Sequence, residues 1–238
     1  MLDGGREVVL AVADGAGGAR RGGDGAELLL ELLDAGLRGA VPPTGESPDT
    51  ICDWTNQLLR DVIESARTVI SGAGGDLADY AATFGICFVG LSEIAIAAIG
   101  DVFACVRREG RPDDLKVVLR PNRDSLRSGV RFFTAPDWAA HVFSVVVADP
   151  HLDAVFLSSD GLEDVVLEFA YPPAGSTVRD ANAQPTRVYV VPDILRRADE
   201  GVDAVGLEAE IAVPAILDTK GDDVGFALAR RGHALPPS

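Results

Sequence analysis

The chain has 238 residues and a formal net charge of -16, from 21 basic and 37 acidic side chains. That field repels nucleic acid and anionic lipid and favours cations, so neither nucleic acid nor a membrane is an expected partner. Hydrophobic residues make up 47%, enough for a substantial core, and one domain over residues 1–238 is expected. The longest apolar runs, such as Val8–Ala13 and Val145–Ala148, are too short to span a bilayer, and the N-terminus lacks a signal-peptide pattern. Cys52, Cys87 and Cys105 are odd in number and form no CxxC pair, which suits reduced thiols in a cytoplasmic protein.

In chain order, Arg6 to Ala13 is dense in valine and reads as a buried inner strand ending at Asp14-Gly15. Gly25 to Leu37 reads as a helix with Ala26, Leu29, Leu30 and Leu33 on one face and Asp24 as its cap. A proline- and glycine-rich loop follows, ending at Ser47-Pro48, an N-cap and first-turn proline. A second helix carries Ile51, Trp54, Leu58, Val62, Ala66 and Ile70 at helical spacing. Then come "TFGICFVGL", "EIAIAAIG", "VFACVRREG" and "LKVVLRP", short strands separated by turn residues, with two more at His141 to Ala148 and Ala154 to Ser158. Tyr171 to Pro185 reads as a surface loop, Pro192 to Leu217 as mostly helical, and "DVGFALAR" as a last strand. Adjacent strands framed by helices predict an α+β protein built on antiparallel sheet.

The stretch "VADGAGGARRGGDGAE", Val12 to Glu27, has the look of a phosphate loop, yet it carries no lysine, and Arg20 stands where a dinucleotide fingerprint needs glycine. Asp14-Gly15 is on its own an ordinary strand-ending turn. The pattern repeats, however. Gly100-Asp101 and Asp160-Gly161 also end strands, and Asp222-Asp223 precedes the last one. Carboxylates brought to one end of a sheet repel one another unless a hard cation neutralises them, and oxygen ligands select Mg²⁺ or Mn²⁺. Competing chemistry has little support. His141, His151 and His233 are scattered, Ser158 and Ser159 lack a nucleophile elbow, and Cys87 and Cys105 sit inside apolar strands. Arg20 and Arg21 are read as solvated.

The ordered set "VLAVADGAGG", "GDGAELL", "AIGDVFACVRREG", "FLSSDGLEDVV" and "GDDVGFALA" resembles the metal-dependent type-2C protein phosphatases, in particular the bacterial branch with an Asp-Gly-Ala-Gly loop, over Val8 to Ala229. The resemblance implies a four-layer sandwich, two packed antiparallel β-sheets flanked by helices on both faces. It implies a phosphoserine/phosphothreonine protein phosphatase using two or three Mn²⁺ or Mg²⁺ ions, with metal-activated water rather than a side chain as nucleophile and a phosphorylated protein as substrate. Carried over by position, the resemblance implies that Asp14 would bridge both metals and the Gly15 carbonyl would help bind one. It implies that Asp160 and Asp222 would each ligate one metal, and that Asp101, with Asp164 assisting, would serve a weaker third site. Gly25-Ala26 matches the small pair that lets the first helix pack closely.

The sequence departs from the family in three places. Many members begin with a segment carrying a phosphate-gripping arginine and a metal-binding aspartate; this chain has no counterpart, and Asp3 comes too late. Ala16 replaces the histidine of some eukaryotic members, and "AATFG" keeps only Thr83 of the usual Gly-Thr-Thr. The domain is therefore expected to lack its first strand, to bind metal weakly and to associate through an open sheet edge. A catalytically impaired, phosphatase-like binding or regulatory module is the competing reading. A version extended upstream by about 20–30 residues, roughly a strand and its lead-in, is expected to outpace this chain by orders of magnitude at saturating Mn²⁺. Side-by-side turnover of p-nitrophenyl phosphate tests this, and equal, robust rates would show the upstream segment dispensable.

Overall fold

The computed structural model describes residues 7–109, 111, 115–120, 129–162, 167–170, 182–185, 190–203, 206–207 and 225–230. Strands β1 (Val8–Gly15), β2 (Ala82–Val89), β3 (Glu93–Ile99) and β6 (Phe143–Ala148) form one antiparallel sheet in the order β1-β2-β3-β6. Strands β4 (Phe103–Arg108), β5 (Leu115–Leu119), β7 (Leu152–Ser158) and β10 (Phe226–Arg230) form a second, in the order β10-β7-β4-β5. β8 (Leu167–Ala170) and β9 (Asn182–Pro185) pair separately as a two-stranded ribbon. The last four residues of the expected loop Tyr171 to Pro185 are thus strand, and residues 171–181 lie outside the described set.

Side chains alternate faces along each strand, and that period of two builds the layers. Val12, Cys87, Ile96 and Ala98 of the first sheet meet Val102, Ala104, Val155 and Leu157 in one apolar cluster between the sheets. The opposite parity of the first sheet, Phe84, Ile86, Ala97 and Ile99, packs under the two helices α1 (Gly22–Leu37) and α2 (Pro48–Gly72). On the far side, Phe103, Cys105 and Phe156 pack against Val191, Ile194 and Leu195 of α3 (Val190–Asp199). Helices therefore cover both outer faces, giving the expected four layers. β2 is buried along its whole length because one face meets the helices and the other the second sheet. Among the described residues β1 is the outermost strand of its sheet rather than an inner one, and Val12 is its one fully buried residue.

Helix α2 starts as its sequence demands. The Ser47 hydroxyl accepts a hydrogen bond from the Thr50 N–H at 3.2 Å, and Pro48 opens the helix. Its buried stripe is Ile51, Thr55, Leu59, Val62, Ile63, Ala66 and Ile70, while Trp54 is half-buried and edge-on to Phe88 at 5.6 Å. Helix α1 departs from expectation. It begins at Gly22, and Asp24 lies in its first turn instead of capping it. Two glycines argue for a later start, but the Arg21 N–H donates to the Asp79 carbonyl at 2.7 Å and the Gly25 N–H to the Arg21 carbonyl at 3.0 Å. The tertiary bond to Asp79 and this first helical bond fix the earlier turn. The second sheet is tied to α3 by an ion network with a buried arginine at its centre. Arg107, 4% exposed, donates to Asp153 at 3.0 Å and to Asp199 at 2.9 Å. Burial opposes the Arg107 charge, but the hydrogen bonds to Asp199 and Asp153 outweigh it and raise the pKa. Among the described residues, no helix is long and apolar enough to cross a membrane.

Gly25 shows how tightly α1 is seated. A Cβ there would overlap the Tyr80 carbonyl, backbone against backbone, so neither side can move aside cheaply. Gly25→Ala is expected to destabilise the fold by about 1–3 kcal/mol or more, lowering the melting temperature by at least several degrees. A variant that melts with the wild type would contradict this close approach.

Candidate metal centre

Strand register brings the acid-bearing turns to one end of the sandwich. Asp14 and Gly15 close β1 opposite Thr83 and Ala82, which open β2. Phe84 pairs with Ile99, so β3 runs out beside the start of β2 and delivers Gly100-Asp101 there. Ser158 pairs with both Phe103 and Phe226, so the turn holding Asp160 leaves β7 at the same end. Asp14, Gly15, Asp101 and Asp160 all line one cleft of about 560 Å³. Among the described residues, its remaining wall is the loop Ala16–Ala19 together with Ala78, Ala81, Thr83, Val130 and Phe132.

The glycine loop is held by its backbone. The Ala16 N–H donates to the Ala81 carbonyl and the Ala19 N–H to the Ala16 carbonyl, both at 2.9 Å. Gly17 and Gly18 are exposed with open space where side chains would stand, so nothing from this loop fills the cleft. Arg21 is not simply solvated. Its guanidinium pairs with Asp24 at 2.7 Å, donates to the Tyr80 hydroxyl and lies 4.5 Å over the Tyr80 ring. The hydrogen bond to Asp24 raises its pKa. Arg20 is exposed in the preceding turn.

On the other wall, Ser158 and Ser159 act as structural clamps. The Ser158 hydroxyl and the Ser159 N–H donate to the Gly225 carbonyl at 2.9 and 3.0 Å, and the Gly225 N–H donates to the Ser159 hydroxyl at 3.3 Å. The chain entering β10 is thereby fixed beside the Asp160 turn. Asp222 and Asp164 lie outside the described residues. Among the described residues, no three His, Cys, Asp or Glu side chains form a complete ligand cluster by themselves.

Other reactive groups stand apart. Cys87 and Cys105 are buried; burial pushes the Cys87 thiol well up and the Cys105 thiol up to about 12. His141 contacts Asp137 at 3.0 Å, away from the cleft. Among the described residues, no lysine, arginine or histidine lines the cleft. Val130 and Phe132 were not singled out by the sequence, since they come from a segment with neither periodicity nor turn signal. Thr83 stood out there only as a remnant of a motif.

The profile of the protein phosphatase 2C family matches residues 2–189. Comparison with curated protein sequences gives no significant match. Among solved structures, a bacterial serine phosphatase is similar at 15% identity and a TM-score of 0.64, over 97% of this chain and 89% of that one. The serine/threonine phosphatase Stp1 from Staphylococcus aureus is similar at 15% identity and a TM-score of 0.64, over 96% and 85%. The catalytic domain of the serine/threonine protein phosphatase PstP, in complex with two manganese ions, is similar at 16% identity and a TM-score of 0.58, over 96% and 91%. These likenesses show the shared sandwich. With the family profile matching most of its length and the acidic turns gathered at one end of that sandwich, the chain belongs to the protein phosphatase 2C family.

Proposed function

We propose that the cleft is a divalent-metal centre at which the chain hydrolyses phosphoserine and phosphothreonine esters of proteins. The observation that carries this reading is the meeting of Asp14, Asp101 and Asp160, from three separate strand ends, on one cleft with no cationic side chain among its described lining. A phosphate dianion entering such a cleft meets like charge, which a divalent cation held between them would relieve. The donors fit Mn²⁺ or Mg²⁺, because carboxylates and backbone carbonyls are hard oxygen ligands. Asp14, the Gly15 carbonyl, Asp160 and Asp222 would hold two ions, and Asp101 would serve a further, weaker one. Three residues of chain, at most about 10 Å, separate Asp222 from the clamped Gly225, which is within range of the Asp160 turn. When bound, two such ions lower the pKa of water and neutralise the charge of the transferring phosphoryl group.

The chain's own residues supply the frame. Asp14 and Thr83 are fixed by the β1–β2 register, and the backbone of Ala16 to Ala19 keeps the mouth open. Gly17 and Gly18 leave room for a phosphorylated side chain still attached to its polypeptide. The buried thiols of Cys87 and Cys105, with raised pKa values, are unsuited to attack on phosphorus, which agrees with water as the nucleophile.

Two outcomes test the reading. Mn²⁺ at a hundred times its dissociation constant is expected to stabilise the protein by about 2.7 kcal/mol, read as a rise in melting temperature. Asp160→Asn should abolish most of that rise, and an unchanged response in the variant would remove Asp160 from the site. Hydrolysis of p-nitrophenyl phosphate and phosphothreonine peptides is expected only with added Mn²⁺ or Mg²⁺. EDTA should stop it and iodoacetamide should not. Inactivation by iodoacetamide that substrate prevents would point instead to a cysteine nucleophile.

A further inference from the structure

Thr83 occupies a place in the cleft that its family motif does not explain. It is 4% exposed, it lines the cleft, and its Oγ1 is buried with no hydrogen-bond partner among the described residues. A buried hydroxyl left unsatisfied is costly, so its retention needs a reason. Three adjacent strands show where it stands. Asp14 is its direct partner across β1–β2, and Gly100 follows Ile99, the partner of Phe84, at the end of β3. Asp14 and Thr83 have the parity of Val12 and Cys87, whose side chains meet the second sheet, so both belong to the inter-sheet face. Directly opposite residues of an antiparallel pair have Cβ atoms about 4.5–5.5 Å apart, within reach of a hydrogen bond between a hydroxyl and a carboxylate.

The side chain is also held in place. Gly100 has a φ of +99°, and a Cβ at that position would run into the Thr83 side chain, Cγ2 and Cβ alike. The backbone of Gly100 therefore packs directly on the Thr83 methyl group, and the next residue is Asp101. A threonine whose methyl is seated against one acidic turn and whose hydroxyl stands opposite the other acid is oriented before any ion arrives.

We propose that Thr83 is a positioning residue of the metal centre, its hydroxyl donating a hydrogen bond to the Asp14 carboxylate once that carboxylate turns onto a divalent cation. Ligating carboxylates are themselves hydrogen-bonded in metal sites, and such outer partners fix the ligand's orientation. The inference rests on the metal-centre reading above. It adds that the missing partner of Thr83 is supplied by the ion-bound arrangement of Asp14.

The experiment titrates Mn²⁺ by calorimetry into the wild type, Thr83→Val and Thr83→Ser, and measures the thermal unfolding of each in EDTA. Valine keeps the shape and removes the hydroxyl; serine keeps the hydroxyl and removes the methyl. Thr83→Val is expected to weaken Mn²⁺ binding about tenfold or more, the usual effect of losing an outer hydrogen bond. Its metal-free melting temperature should match or exceed the wild type's, because an unsatisfied polar group has gone. Thr83→Ser should bind Mn²⁺ within about threefold of the wild type, a hydrogen bond being retained. A merely structural threonine would give the opposite pattern, a lower metal-free melting temperature and unchanged Mn²⁺ affinity in the valine variant, and that result overturns the proposal. Mn²⁺ binding by the wild type with equal affinity in the valine variant refutes the role of Thr83 alone. A wild type that binds no Mn²⁺ refutes the metal-centre reading and this inference with it.

Discussion

The register of three strands is the constraint on which the rest depends. Asp14, Thr83 and Gly100 sit side by side at the ends of β1, β2 and β3 because Val12 pairs with Gly85 and Ile86 with Ala97 further in. A slip of one residue would turn every side chain of a strand to its other face, sending Asp14 or Thr83 under the helices. The apolar residues forbid that slip. Phe84 and Ile86 fit beneath α1 and α2, while Cys87, Ile96 and Ala98 fill the space between the sheets. The precision of the site is thus inherited from a core that takes no part in its chemistry. Hydrophobic packing fixes position, and polar groups inherit it.

The second sheet answers to a different lock. Arg107 reaches from β4 to Asp153 on β7 and to Asp199 at the end of α3, and Arg230 on β10 meets Asp199 at 2.7 Å. Burial alone would raise the Asp199 pKa, but its hydrogen bonds with Arg107 and Arg230 outweigh this and lower it. A depressed carboxylate contributes stability above its unfolded pKa and loses that contribution as pH falls through the folded value. The network therefore holds at neutral pH and loosens only in acid. It spans β4, β7, β10 and α3, and the first and second of these strands also deliver the turns of Asp101 and Asp160.

Much of this was legible in the chain. Runs such as "TFGICFVGL" announce strands, Ser47-Pro48 announces the start of α2, and three of the strand-end aspartates, Asp14, Asp101 and Asp160, line one cleft. What escaped depended on contacts distant in sequence. Gly22-Gly23 argued against a helix start that Asp79 imposes through a backbone hydrogen bond. Arg21 looked solvated because Tyr80, 59 residues away, could not be seen beside it. The outermost place of β1 follows from pairing order, which composition does not encode; its valines read alike in an inner or an outer strand. Val130 and Phe132 enter the cleft wall because the Phe133 N–H donates to the Ala82 carbonyl at 3.2 Å, a tertiary contact without local signature.

Charge balance at the cleft explains why a glycine-rich loop here should carry acids rather than lysine. A phosphate loop neutralises its ligand directly, with backbone N–H groups and a cationic side chain. In this chain Arg21 is turned away to Asp24 and Tyr80, and carboxylates face the cleft. With a net charge of -16 behind them, those carboxylates favour a cation over a bare anion in the cleft. The buried Thr83 hydroxyl, without a partner among the described residues, stands on the same wall. The apolar sandwich and the helices on its outer faces hold these groups in place, so the shape of the cleft is a product of packing rather than of its polar lining.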